Sequence, residues 1–189
     1  DAGYATGLIG KSHLQSFTGL PATNKFEQKK GLSSPSRELR DAYKNNRHSP
    51  DYDLEDSTRW HTPLSDRVDG DFYGFQHVEI SAGHADQASG DYLLWARKQR
   101  EDFDSLTGYE NALPDESIDA PQAWRTAVPE ELYSTNWIAD RSVHWIGQQT
   151  NNETPFFLQV SFPDPHHPFT PPGKYWDMYS PDDFEVSLP

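Results

Sequence analysis

The stretch Gly3-Tyr4-Ala5-Thr6-Gly7-Leu8-Ile9-Gly10-Lys11-Ser12-His13 has the pattern of a buried strand that ends in polar side chains. Its aliphatic, aromatic and β-branched residues favour a pleated strand, and Gly7 and Gly10 permit close backbone approach and a sharp exit. Residues two apart in an extended chain project to the same side, about 6.6 Å apart at a rise of about 3.3 Å per residue. Lys11 and His13 are therefore predicted to bind one tetrahedral anion between an ammonium and an imidazole.

A second apolar run ends in polar residues in the same way. Residues 155–162 are nearly all apolar, as expected for a central strand of a parallel sheet that is covered on both faces. The run is followed by Pro163-Asp164-Pro165-His166-His167-Pro168-Phe169. In open α/β sheets, ligands bind outside the carboxyl ends of the strands. The sequence therefore predicts an α/β fold with a mostly parallel central sheet flanked by helices, and both polar clusters at one edge of it.

Further elements are predicted between these two runs: a strand over 72–80, a turn over 83–86, a helix over 89–102, a polar loop over 103–129 and a helix over 136–149. In the first of them, Phe75, His77 and Glu79 are predicted to share one face. Trp124 is expected to pin the polar loop to the core. His84 and Asp86, in the turn, form a weaker candidate pair for which a structural role in the loop is favoured.

The last predicted helix is amphipathic. Thr135 is a plausible N-cap, and Ala139, Val143 and Ile146 step along one face at helical spacing. Three further apolar residues are predicted to widen that face: Trp137, Ile138 and Trp145. His144 lies beside that face and is predicted to be a surface residue. A helix followed by a buried strand forms half of a βαβ crossover, which supports the predicted parallel sheet.

Composition limits the partners and the chemistry. The 189 residues have a formal net charge of −14 and no cysteine. The negative charge argues against nucleic acid or an anionic membrane as a partner, since both would be repelled. Without cysteine the chain has no disulfide, no thiol nucleophile and no sign of its redox compartment. No apolar run reaches the roughly 20 residues of a membrane span, so a soluble protein is expected, and its oligomeric state stays open.

The sequence motifs of both polar clusters resemble those of a known protein family. Gly3-Tyr4 to His13, read as Gly-Tyr-x-Thr-x-x-x-Gly-Lys-x-His, resembles the second signature motif of the sulfatase family in the alkaline-phosphatase-like superfamily. It departs at Ser12, where many sulfatases carry a bulky residue. The Phe-Phe-Leu run and the His-x-Pro loop at His166 are similar to those of sulfatases and of phosphonate monoester hydrolases. The resemblance implies an alkaline-phosphatase-like sandwich, of which the chain would be a part.

The resemblance also implies roles. Lys11 and His13 would bind the sulfate group, and His166 would lie near the ester oxygen and donate a proton to the leaving group. His167 precedes Pro168 and is expected to be extended, so the two histidines should point in opposite directions and Asp164 could orient His166. The family also uses a formylglycine and a divalent cation, usually Ca²⁺. The ligands of that cation are expected to lie outside this chain.

One stretch superficially fits a serine version of the formylglycine motif, namely Ser33-Ser34-Pro35-Ser36-Arg37. The family motif precedes the Lys-x-His strand, whereas this stretch follows it, so chance is the favoured explanation. It lies in residues 16–71, which are predicted to be mostly a polar loop excursion with a short helix near residues 36–43. The start at Asp1 without a methionine and the loop before Pro189 indicate an internal piece of a longer catalytic domain, inactive by itself.

Three functions remain open on these residues. The first is a sulfatase acting on a small sulfate ester, and the second is a phosphonate or phosphate ester hydrolase of the same superfamily, since one site can accept either tetrahedral anion. The third is a non-catalytic anion-binding or scaffold protein. A Cys-x-Pro-Ser-Arg stretch and an Asp-Asp pair upstream in the adjoining sequence would distinguish the enzymes from the scaffold.

Overall fold

The structure, a computed structural model, describes residues 3–15, 30–31, 54–61, 72–150 and 152–185. The predicted helix at residues 36–43 and the stretch at Ser33 lie outside these residues. No helix in the described ranges has the length and apolar character needed to cross a membrane.

Four strands form one mixed sheet. They are β1 (Ala5–Gly10), β2 (His77–Ala82), β3 (Ser89–Gly90) and β4 (Phe156–Ser161). Their order in the sheet is β3-β2-β1-β4. β1 runs parallel to both β2 and β4, and only the short β3 is antiparallel to its neighbour. The predicted α/β class with a mostly parallel sheet is confirmed.

In the described ranges, three α-helices and several short 3₁₀ turns surround the sheet. The helices are α1 (Ser57–Trp60), α2 (Asp91–Gln99) and α3 (Ser134–Gln149). The 3₁₀ turns are Ala85–Gln87, Phe103–Leu106, Tyr109–Asn111, Glu130–Leu132, Gly173–Tyr175 and Pro181–Asp183. Helices α2 and α3 pack together through Tyr92 and Trp137, whose ring centroids are 5.8 Å apart. These two side chains, with Ile9 of β1, belong to the larger hydrophobic cluster.

The predicted strand over 72–80 begins late. Residues 72–75 form a tight turn, in which the N–H groups of Phe72 and Phe75 donate to each other's carbonyls at 3.0 and 2.9 Å. Within β2 the predicted alternation holds for Val78 and Ile80, which pack with Leu8 in a second cluster. Phe75 packs against that same cluster, so the prediction that it shares a face with His77 and Glu79 is wrong, because it lies in the turn before β2. The predicted helix over 89–102 starts only at Asp91, since its first two residues pair with β2 as β3.

Helix α3 buries only part of the predicted face. Its buried residues are Ser134, Trp137, Ile138, Ser142 and Trp145, so the prediction holds for the two indoles and for Ile138. It is wrong for Val143, which is 71% exposed, and for Ile146, which is 37% exposed. The two large indoles decide the orientation, because aromatic side chains remove more apolar area from water than Val or Ile do. The prediction that His144 is exposed is confirmed.

Strand β4 is parallel to β1, as predicted, but it is not covered on both faces by the described residues. It lies at one end of the strand order, and Phe157 is 54% exposed. The Phe157 ring stacks on Phe75 at a centroid distance of 6.2 Å, which is partial cover from a single loop residue. The sheet edge next to β4 is therefore apolar and open within the described part of the chain.

Candidate active site

The end of β1 delivers Lys11 to the carboxyl-terminal edge of the sheet. Gly10 has a φ of +109°, and a Cβ built on it would lie 1.9 Å from the carbonyl oxygen of Ser161 in β4. Only glycine fits this contact. The Lys11 N–H donates to the same Ser161 carbonyl at 3.0 Å, so the backbone at Lys11 is held where β1 and β4 end.

Glu55 holds the turn that follows. Its side chain is 2% exposed and accepts from the Ser12 hydroxyl at 2.7 Å, the His13 N–H at 2.7 Å and the Gln15 N–H at 2.6 Å. His13 has a φ of +65°, so the chain turns here and is not extended. The predicted spacing of Lys11 and His13 along an extended strand is therefore wrong, because the turn around Glu55 replaces it.

His84 follows β2 and lies next to Lys11. Its Nε2 atom is hydrogen bonded to the Lys11 ammonium, which can only donate, so Nε2 accepts. The His84 ring also stacks on the His166 ring, with a centroid distance of 3.9 Å and an interplanar angle of 26°. Side chains that follow β1, β2 and β4 thus meet at one edge of the sheet.

The loop after β4 turns sharply at His166. The His166 N–H donates to the Pro163 carbonyl at 3.1 Å, and His166 Nδ1 lies 2.6 Å from the His167 carbonyl oxygen. The two rings are 4.3 Å apart, so they do not point in opposite directions. That prediction is wrong because it assumed an extended backbone where the chain makes a turn. Since a carbonyl only accepts, Nδ1 carries the proton of the neutral His166 ring and Nε2 is its basic atom.

Asp164 does not orient His166. Its carboxylate accepts from the Thr135 hydroxyl at 2.6 Å and from the Tyr133 hydroxyl at 3.5 Å. The prediction that Asp164 orients His166 is wrong, and so is the prediction that Thr135 caps α3, whose N-cap position is Tyr133. Both corrections have one cause: the Thr135 hydroxyl spans from α3 to the loop after β4 and does not serve its own helix.

Asp86 has the structural role that was favoured for it. Its buried carboxylate accepts from the Trp124 indole at 2.9 Å, the Thr126 hydroxyl at 2.7 Å and the Gly108 N–H at 3.3 Å. Burial raises the pKa of Asp86, although these hydrogen bonds oppose the rise. Trp124 is 8% exposed and pins its loop as predicted. These hydrogen bonds to Asp86 fix the turn that contains His84, two residues away in the sequence.

We call Lys11, His13, His84, His166 and His167 the nitrogen cluster. Burial lowers the pKa of Lys11, and the Glu55 carboxylate opposes this. Burial and the Lys11 charge lower the pKa of His13. Burial, Lys11 and the neighbouring histidines lower the pKa of His84 to about 4, so His84 is neutral near neutral pH. The cluster gathers donors and basic nitrogens at a partly open surface, where both His13 and His166 are exposed.

The cluster does not fit a calcium ion. Ca²⁺ takes oxygen ligands, mainly carboxylates and carbonyls. Within the described ranges, no group of three or more His, Asp or Glu side chains could hold a metal ion. We therefore derive no chemical step through a metal or through a formylglycine.

Sequence reasoning missed Glu55, which lies in the stretch interpreted as a polar excursion, where no periodic pattern marks a buried carboxylate. For His84 the sequence favours a structural role in the loop, whereas the structure places its ring against Lys11 and His166. The available signal was its place directly after a strand, the same position that singled out Lys11 and His166.

Fold and cluster together define the class: an α/β protein with a group of lysine and histidine side chains at the carboxyl edge of a mostly parallel sheet. No family model matches the chain. The sequence is 30% identical to an arylsulfatase of Clostridium perfringens (strain 13 / Type A) over 123 residues, which are 64% of this chain and 24% of the relative. It is 39% identical to the uncharacterized sulfatase YidJ of Escherichia coli (strain K12) over 51 residues, which are 27% of this chain and 10% of the relative.

Both relatives are sulfatases by name, and the predicted resemblance to the sulfatase family is confirmed over the matched residues. The matched part of the chain spans about a quarter of the arylsulfatase and a tenth of YidJ.

Proposed function

We propose that this chain is part of the catalytic domain of a sulfatase, and that the nitrogen cluster binds the sulfate group of a small sulfate ester. The observation that carries the proposal is the meeting of Lys11, His84 and His166 at the ends of three different strands. The two sulfatase relatives support the same reaction class.

The physical logic of the cluster fits cleavage of a sulfate ester. Negative charge develops on the sulfate oxygens and on the leaving oxygen, and fixed donors aimed there stabilise the transition state more than the ground state. Lys11 and His13 are proposed to bind the sulfate oxygens. When the His166 ring is protonated, its Nε2 carries the second proton and can donate it to the leaving group, while Nδ1–H stays on the His167 carbonyl.

Bound anion and protonation are linked at His13. Its pKa is lowered by burial and by the Lys11 charge, and a bound dianion counters the second effect. Sulfate binding is therefore expected to take up protons and to tighten as the pH falls.

The first test measures binding of inorganic sulfate to the 189-residue chain. Ring signals of the histidines are followed by NMR during sulfate addition near pH 6 and near pH 8. We expect tighter binding at the lower pH and a large loss of affinity in Lys11→Ala. His144→Ala, on the exposed side of α3, serves as the matched control. Equal affinity in wild type and Lys11→Ala would contradict the assignment.

The second test concerns turnover in a protein that carries the adjoining catalytic sequence. Lys11→Ala or His13→Ala is expected to lower the catalytic step by roughly 10²- to 10³-fold, the range for losing one preorganised donor. His166→Ala should harm aryl sulfates with poor leaving groups far more than those with good ones, and His167→Ala should be mild on both. Faster turnover of the matched phosphonate or phosphate esters would favour the related hydrolases instead.

A further inference from the structure

His84 contacts two other members of the nitrogen cluster: Lys11, which follows β1, and His166, which follows β4. We propose that His84 is a positioning residue of this cluster: it accepts from the Lys11 ammonium through Nε2 and carries the His166 ring on its face. The inference rests on the proposed function, because it assigns His84 to the same anion site. The residue acts through Lys11 and His166, and no contact of its own with the anion is required.

The hydrogen bond fixes the lysine. A lysine side chain has several rotatable bonds, and its ammonium has three donors that can turn. Nε2 of His84 accepts from one of these donors. The position of Nζ is then set by the ring and not by the mobile stem of Lys11.

The stacked ring fixes the histidine. His166 lies in an exposed turn. The hydrogen bond from its Nδ1 to the His167 carbonyl lies within this turn and therefore does not fix the position of the ring relative to the sheet. The His84 ring lies 3.9 Å from it, nearly parallel, and gives it a flat support from the β2 side. The His84 imidazole therefore sets the distance between Lys11, which is proposed to bind the sulfate, and His166, which is proposed to donate the proton.

The support itself is rigid. The backbone of His84 is extended, and the 3₁₀ turn Ala85–Gln87 follows directly. Asp86 in this turn is tied to Trp124 and Thr126 at 2.9 and 2.7 Å. A first layer of ligand-binding groups keeps its geometry only when a second layer holds it in place, and this network supplies that layer.

Charge is consistent with a supporting role. Burial, the Lys11 charge and the nearby His166, His13 and His167 lower the pKa of His84 to about 4. The ring therefore stays neutral when an anion binds at neutral pH, and Nε2 remains an acceptor for the lysine. A protonated His84 ring would have no acceptor for Lys11 and would repel its ammonium group.

Two substitutions separate the two contacts. His84→Phe keeps an aromatic face for His166 and removes the acceptor for Lys11. His84→Gln keeps a side-chain oxygen that can accept from Lys11 and removes the aromatic face. The matched controls are His144→Phe and His144→Gln, at an exposed histidine whose side chain contacts Gln148.

The readouts are two NMR signals of the sulfate-free chain. The Cε shift of Lys11, followed against pH, gives its pKa, which should fall in His84→Phe because the acceptor that favours the charged form is gone, and should stay near wild type in His84→Gln. The ring-current shift of the His166 protons should persist in His84→Phe, and in His84→Gln it should fall to the part caused by the His167 ring. Both variants should lower sulfate affinity by about five-fold, the equivalent of one ordinary contact.

This crossed pattern is the expected result. A merely structural role for His84 would change both signals in the same direction in both variants, and that result, or no change in either, would overturn the inference. If His84→Phe does not give a folded spectrum, His84→Leu replaces it for the Lys11 readout. Absence of sulfate binding in the wild type would count against the proposed function while the crossed pattern can still be read; sulfate binding without the pattern would count against the positioning role alone.

Discussion

Glu55 illustrates how much one buried carboxylate can organise. It accepts hydrogen bonds from Ser12, His13 and Gln15. It thereby shapes the turn that contains His13 and follows Lys11, the two residues proposed to bind the sulfate oxygens. Its partners are about 40 residues away in sequence, and Leu54 beside it accepts from the Trp60 indole at 2.8 Å. The short helix α1 thereby carries the carboxylate to the end of β1.

Replacing Glu55 by Ala is expected to destabilise the chain by about 3 kcal/mol, because hydrogen bonds to a charged group are lost and buried N–H groups are left without an acceptor. Urea denaturation measures the change. Glu116→Ala, at an exposed glutamate, is the control and should change stability by less than about 0.5 kcal/mol. A loss at Glu55 no larger than that of the control would mean that the turn is held by other contacts.

At the scale of elements, two glycines have opposite roles. Gly10 ends β1 against the Ser161 carbonyl with a positive φ, whereas a Cβ on Gly147 in α3 would meet nothing within 4 Å. We expect Gly10→Ala to cost about 3 kcal/mol or more, from backbone strain and from the clash with β4. Gly147→Ala should instead stabilise by about 0.5 kcal/mol, since alanine has the higher helix propensity.

Thermal and urea unfolding of both glycine variants test this pair. A Gly10→Ala protein as stable as wild type would show that β1 and β4 can move apart at their ends. In that case the position of Lys11 would not depend on the close contact. A destabilised Gly147→Ala would show that α3 needs a glycine at that position for a reason outside the described contacts.

An ion pair fastens α3 to the sheet. Glu79 of β2 is 3% exposed, and Arg141 of α3 donates to its two oxygens at 2.5 and 2.8 Å. Burial raises the pKa of Glu79, but the hydrogen bonds of His77 and Arg141 outweigh it and lower the pKa from 4.5 to about 2. A carboxyl group with a depressed folded pKa contributes stability above its unfolded pKa, and that contribution is lost as the pH falls towards the folded value.

The stability difference between wild type and Glu79→Gln should therefore be at most about 3 kcal/mol near pH 6 and should shrink between pH 4.5 and about 2. Urea denaturation at several pH values measures it. Protonation of His84 affects both proteins alike and cancels in the difference. A difference that is independent of pH over this range would show that the charge of Glu79 does not stabilise the fold.

At the scale of the whole molecule, the nitrogen cluster is proposed to supply the anion-binding part of a sulfatase site. Among the described residues, no group of three or more His, Asp or Glu side chains could hold a metal ion. We expect the purified 189-residue chain to leave 4-nitrophenyl sulfate uncleaved, with or without added Ca²⁺. Metal-dependent turnover by this chain would contradict that expectation and would direct attention to Ser33, which lies outside the described residues.

The sequence by itself determined the sheet and the edge at which the site lies. A strand of alternating or continuous apolar residues followed by polar ones is a local pattern, and parallel strands bring their carboxyl ends together, so Lys11 and His166 could be assigned to one edge. The face of β2 that carries His77 and Glu79 followed from the two-residue period of a strand.

Only the tertiary structure decided which side chains hold the site. Three hydrogen bonds hold it, and each joins residues 29 to 73 positions apart in the sequence: Glu55 with His13, His84 with Lys11, and Thr135 with Asp164. Such contacts leave no period in the sequence, because each depends on where two turns meet and not on the pattern of either one. The exposure of Val143 and Ile146 has the same origin, since the packing of Trp137 and Trp145 on other elements decides how α3 is turned.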